Sequence, residues 1–146
     1  MTATNHVLTG ALIGSLVTNP LIALPLALAS HLALDMIPHY GNKVMKINTF
    51  VPYLLVDMTL AALLLLSILV NQPHNYWLMI ACGILASSPD LLSIPYFVDL
   101  LKHRDHKFGK LTQFLKKIQW SETPMGLIIE AVWFLTLGAI LLGRIS

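Results

Sequence analysis

Five stretches of this chain are apolar enough to leave water: residues 5–18, 21–37, 50–70, 76–97 and 124–143. Asn19 and Pro20 between the first two form a tight turn signal, which predicts a helical hairpin. The run at 50–70 is the clearest membrane span and closes on the polar turn Asn71-Gln72-Pro73-His74-Asn75. The fourth run is interrupted by Ser87-Ser88-Pro89-Asp90 and again by Pro95, and the fifth opens with Pro124, a good first-turn residue. At 1.5 Å per residue the first run covers about 21 Å of a hydrocarbon core of about 30 Å. It is therefore re-entrant, extended at its ends, or set where the bilayer thins. No internal repeat or low-complexity tract breaks the pattern.

The polar exceptions inside these runs carry the information. His31, Asp35 and His39 stand four apart at the end of the second run. Residues at i, i+4 and i+8 leave a helix from nearly one face, so a helix over this stretch would aim two imidazoles and a carboxylate at one spot. An Asp at mid-bilayer costs roughly 2.5–3.5 kcal/mol on the insertion scale, and such groups mark function by default. His6 opens the first run, Asp57 lies in the first third of the third, Asp90 in the last third of the fourth, and Glu130 in the first third of the fifth.

Composition and charge turn the runs into a membrane topology. Of 146 residues 56% are hydrophobic and 11% charged, against about 25% charged in an ordinary soluble domain, too few charges to cover a globule. The expected fold is an all-α integral membrane protein, a single domain over 1–146 made of about five membrane helices and one basic interfacial helix. With all five runs crossing, Lys43, Lys46, Lys102, Arg104, Lys107, Lys110, Lys116 and Lys117 fall on one side and Arg144 alone on the other. The positive-inside rule makes the first side cytoplasmic, with the N-terminus in and the C-terminus out, and the expected location is a bacterial inner membrane. All seven buried polar groups then lie in the cytoplasmic half at similar depth, as an intramembrane site requires, since each charge must find a partner or a metal.

Three imidazoles and four carboxylates suit one or two divalent cations of the Zn²⁺ type, bound by nitrogen and oxygen about 2.0–2.2 Å away. Two metals about 3.5–4 Å apart share a bridging carboxylate, clamp a phosphoryl group and activate a water. Asp35, between the two histidines, is the expected bridge and a catalytic residue, and Glu130 is a ligand or general base. Phe108, Leu111, Leu115 and Ile118 follow helical spacing beside Lys107, Lys110, Lys116 and Lys117. That segment, up to Trp120, reads as a helix on an anionic leaflet, serving as an anchor or gathering an anionic lipid. Gly10 and Gly14 permit close helix approach within the bundle. Cys82 reads as a small core residue, and as the single cysteine it excludes an intrachain disulfide. The opening Met-Thr-Ala-Thr-Asn-His has no basic region or cleavage site of a removable signal peptide.

The opening Met-Thr-Ala-Thr-Asn-His with Gly10, the run from Ser30 to His39, Ser88-Pro89-Asp90, and Gly126 to Glu130 resemble the small bacterial membrane-bound metal-dependent hydrolases. The likeness covers essentially the whole chain. That family is distantly similar to zinc-dependent phospholipase C, an all-helical enzyme with a multi-zinc site, and His31-x-x-x-Asp35 is similar to its helix-borne ligand pair. The enzyme's His-x-x-x-Glu pair has no counterpart, because Gly126 stands four before Glu130. The resemblance implies a hydrolase of a lipid phosphoester or related ester, with His6, His31, Asp35, His39, Asp57, Asp90 and Glu130 as metal ligands. His103 and His106 are candidates for further nitrogen ligands. The expected partner is an anionic or phosphorylated membrane lipid and not a nucleic acid. A metal or proton carrier would use the same residue types, but needs polar groups on both sides of the membrane.

Overall fold

Asn19 and Pro20 do what the turn signal predicts. The Asn19 carboxamide accepts from Leu21 N at 3.0 Å and caps a helix that opens on Pro20. The computed structural model describes residues 1–41, 47–102, 104 and 109–145. Lys43, Lys46, His103, His106, Lys107 and Phe108, which enter the sequence argument, lie outside them.

Among the described residues the elements are all helical: α1 (Ala3–Leu16), α2 (Pro20–Met36), α3 (Ile47–Asn71), α4 (Tyr76–Ser87), a 3₁₀ segment (Ser88–Ser93), α5 (Ile94–Leu101), α6 (Lys110–Ile118) and α7 (Gly126–Ile145). Three helical stretches are long and apolar enough to cross a membrane: Asn48–Asn71, Tyr76–Asp99 and Gly126–Ile145. The 17 residues of α2 are apolar but shorter. Leu21, Val70, Leu135 and Leu142 are each at least two-thirds exposed, an outer surface suited to lipid rather than water.

The short first helix is the centre of the bundle. α1 packs on α2, α3, α4 and α7 and buries side chains around its whole circumference, from Thr4 to Gly14. A helix enclosed by others need not match the lipid thickness alone, which accommodates its 14 residues. Its closest neighbour is α4. Cβ atoms built on Gly10 and Gly14 would meet the Ala86 Cβ at 2.8 Å and the Leu78 carbonyl oxygen at 2.6 Å. The two glycines thus hold an intramolecular contact. Leu8, Ala11, Ile68, Met79 and Leu141 fill one cluster of the core, and Ala23, Ala27, Cys82 and Ala86 the other.

Gly14→Ala is expected to cost about 1–3 kcal/mol, because its new carbon meets the Leu78 and Met79 backbone and no rotamer can relieve it. Gly138→Ala, with nothing within 4 Å, should leave stability unchanged or raise it. Thermal unfolding of the two variants in detergent makes the comparison.

Pro89 and two serines break the α4 helix where the sequence interruption stands. Pro89 lacks an N–H, while Ser87 and Ser88 hydroxyls donate back to the carbonyls of Gly83 and Leu85 at 3.2 and 2.9 Å. The chain tightens into the 3₁₀ segment that carries Asp90 and continues as α5. After α6 the segment 119–123 folds over the end of α2. Ser121 Oγ donates to the Met36 and Ile37 carbonyls, both at 3.0 Å, and Thr123 N donates to His39 O at 2.9 Å. These bonds satisfy carbonyls that a helix C-terminus leaves free.

Candidate metal centre

Four of the seven sequence-selected groups meet at one end of the bundle. His6 from α1, His31 and Asp35 from α2, and Asp90 from the 3₁₀ segment each offer a ligating atom, all within 4.8 Å of one another. The i,i+4 spacing sets His31 Nε2 at 3.3 Å from Asp35 Oδ2, and His6 Nε2 lies 3.2 Å from Asp35 Oδ1. Each ring nitrogen is 3.9 Å from an Asp90 oxygen. The two imidazoles stack with centroids 4.1 Å apart.

The surroundings orient His31 as a metal-bound histidine is oriented, while His6 Nδ1 is buried without a hydrogen-bond partner. His31 Nδ1 lies 2.8 Å from the Ala86 carbonyl, so it carries the proton and leaves the Nε2 lone pair facing the carboxylates. Asp35 is the hub. Beyond the two histidines, its Oδ1 accepts from the Met1 amino group at 2.6 Å and its Oδ2 from Gln119 Nε2 at 3.0 Å. The side chains of His6, His31 and Asp35 are at most 2% exposed, whereas Asp90 is 30% exposed. Two nitrogen and two carboxylate ligands with one side open could hold a metal ion.

The other three candidates lie beside this cluster and have different partners. Pro38 favours extended backbone at Ile37, α2 ends at Met36, and His39 leaves the helical face that the i+8 spacing extrapolates. His39 Nδ1 lies 2.8 Å from the Ile37 carbonyl, and burial, reinforced by the Met1 ammonium, holds the imidazole below its usual pKa. Asp57 receives the start of α1: its oxygens accept from Ala3 N, Thr4 N and Thr4 Oγ1 at 2.7, 3.0 and 2.6 Å. Glu130 accepts from Thr2 N and from the Tyr53 hydroxyl, each at 3.1 Å, and its carbonyl accepts from Asn5 Nδ2 at 3.2 Å. Thr2 makes no side-chain cap of its own, so α3 and α7 provide acceptors for the free N–H groups of α1. His74 is exposed in the distant turn, and Trp133 Nε1 donates to Thr9 Oγ1 at 3.0 Å as a packing residue.

A cavity of about 310 Å³ adjoins the cluster. Asp90 is the cluster member that lines it; His39, Tyr53, Asp57, Gln119 and Glu122 also face it, together with apolar side chains of α3 and α5. Gln119, Ser121 and the Met1 amino group take no part in the sequence reading. For Gln119 and Ser121 the one signal is a pair of uncharged polar residues flanking Trp120 where the basic helix stops. Comparison with family models, curated proteins and solved structures finds no match to this chain.

Proposed function

We propose that the protein is a membrane-embedded, metal-dependent hydrolase that acts on a lipid phosphoester or related ester at the cytoplasmic interface of a bacterial inner membrane. The observation that carries this reading is the convergence of His6, His31, Asp35 and Asp90 from three elements of the bundle, buried except on the Asp90 side. The resemblance to small bacterial membrane-bound metal-dependent hydrolases points the same way. In this reading α1, α2, α3, the α4 to α5 stretch and α7 cross the membrane as five spans. The excess of lysine and arginine at 38–49 and 98–123 sets the centre in the cytoplasmic half.

His6, His31, Asp35 and Asp90 hold one or two divalent cations, with Asp35 as the bridge if there are two. A bound cation supplies an activated water and stabilises charge on a phosphoryl oxygen. The chain's own part is to orient and exclude. Ala86 O fixes the His31 ring, Gln119 and the Met1 amino group hold Asp35, and the α2 end closed by Ser121 keeps bulk water off the cluster. His39 faces the cavity with Nδ1 engaged by Ile37 O, which leaves Nε2 to move a proton or join as a ligand. Glu130 reaches the same cavity through the Tyr53 hydroxyl.

Purified protein reconstituted with phosphatidic acid and assayed for phosphate release, before and after stripping with a chelator and re-addition of zinc, tests the proposal. Release should fall to background on stripping and return with zinc. Protein that holds no metal while remaining folded would overturn the reading, and zinc uptake into vesicles without hydrolysis would replace it with a carrier.

A further inference from the structure

The three most buried ligands of the cluster are closed to solvent, and Asp90, the exposed one, lines the 310 Å³ cavity. Anything that reaches a bound cation through Asp90 therefore comes through that cavity. On α3 its apolar lining is Phe50, Leu54, Met58, Ala61, Ala62 and Leu65, on one side of the helix with Tyr53 and Asp57 beside them. From Phe50 to Leu65 this lining runs about 22 Å at 1.5 Å per residue. Ala61 and Ala62 are the small residues of this wall, and a larger side chain at Ala61 would take up cavity volume. Leu91 of the 3₁₀ segment and Ile94 of α5, which line the cavity, are 54% and 45% exposed and Met58 is 44% exposed, so the slot reaches the outer surface between α3 and the 3₁₀ to α5 stretch. Asp90, Asp57, His39, Gln119 and Glu122 are among its polar lining, and the apolar lining of α3 extends to both sides of Asp90, Phe50 meeting Phe97 of α5 with ring centroids 4.9 Å apart and Leu65 approaching Gly83 of α4.

We infer that this slot takes one aliphatic chain of a phosphorylated lipid, lying along Met58, Ala61 and Leu65 of α3 with its phosphate at Asp90 of the metal centre. The inference rests on the proposed metal site and names the part of the substrate that the site leaves open. A volume of 310 Å³ is at the lower end of ligand pockets, roughly 300–1,000 Å³, and suits one chain rather than the two of a diacyl lipid. The anionic head complements a cation held by His6, His31, Asp35 and Asp90, and the sideways opening lets the chain enter from the bilayer without crossing water.

The test uses zinc-loaded protein in phosphatidylcholine nanodiscs and, as probe, a dodecylphosphonate with a photoreactive diazirine at the chain end, whose P–C bond resists ester hydrolysis. After illumination, adducts are mapped by mass spectrometry and bound zinc is measured on the same sample. Labelling is expected on Met58, Ala61 or Leu65, with at least a tenfold loss in Ala61→Trp and unchanged zinc content. Ala61→Leu, a smaller plug, should give a partial loss and serves where the tryptophan variant does not fold. Labelling confined to the outward residues Leu63 and Leu66, or unaffected by both plugs, would overturn the inference while leaving the metal site intact. Equal labelling of these α3 residues by the uncharged dodecanol analogue would overturn the assignment of the head to the cluster. Loss of zinc from the unsubstituted protein, by contrast, strikes the proposed function and not the slot.

Discussion

His31→Ala is expected to lower zinc affinity about 100-fold or more and to abolish the proposed hydrolysis. The ring contributes Nε2 at 3.3 Å from Asp35 and 3.9 Å from Asp90, and its other nitrogen is fixed on Ala86 O, so no neighbouring side chain can take its position by a rotamer change. Even partners that stand behind metal ligands are worth about 10- to 100-fold in affinity, and a ligand is worth more. Thermal unfolding provides a second readout. Zinc at about 100 times its Kd stabilises a folded binder by about 2.7 kcal/mol, so the metal-induced rise in Tm expected of the unsubstituted protein should vanish in the variant. A variant that folds, remains monodisperse and still binds zinc with undiminished affinity would remove His31, and with it the centre as drawn.

The sequence displays the parts of this centre that depend on spacing and depth. His31 and Asp35 are legible because one helix carries both, and i,i+4 geometry survives any packing of that helix. His6 and Asp90 are legible by depth, one at the start of its helix and the other at the break that Pro89 and two serines force. Depth alone is silent about azimuth. Asp57 and Glu130 lie at the same end of the bundle, yet their carboxylates receive the backbone N–H groups of residues 2–4. Every helix has such donors, whatever its sequence, so nothing in the letters announces that those of α1 are met from α3 and α7. His39 shows a different limit. Extrapolating a helical face to i+8 fails once Pro38 has ended the helix. Gly126, the position where the resemblance leads one to look for a histidine, has a steric reason: a Cβ there would collide with the His39 backbone.

Asp57→Ala is expected to destabilise the protein by about 2–5 kcal/mol, because the buried or half-buried donors Ala3 N and Thr4 N lose their carboxylate acceptor and Thr4 Oγ1 keeps only the Asp57 carbonyl. The same change should weaken zinc about 10- to 100-fold through His6, which lies one turn after the released N–H groups and depends on them for its register. Asp57→Asn separates this capping role from direct ligation. The amide oxygen still accepts from the start of α1, so the asparagine variant should recover part of the stability and leave the absorption spectrum of a cobalt-substituted centre unchanged. A direct ligand would alter that spectrum in both variants. Combining Asp57→Ala with Glu130→Ala sharpens the point, since the two carboxylates hold neighbouring residues of one helix start, Ala3 and Thr4 for Asp57 and Thr2 for Glu130. Once either is gone the helix start frays and the other has less to hold, so the double variant should lose less than the sum of the single losses. Fully additive losses would mean that Asp57 and Glu130 act on separate parts of the molecule, and the shared clamp on α1 would have to be given up.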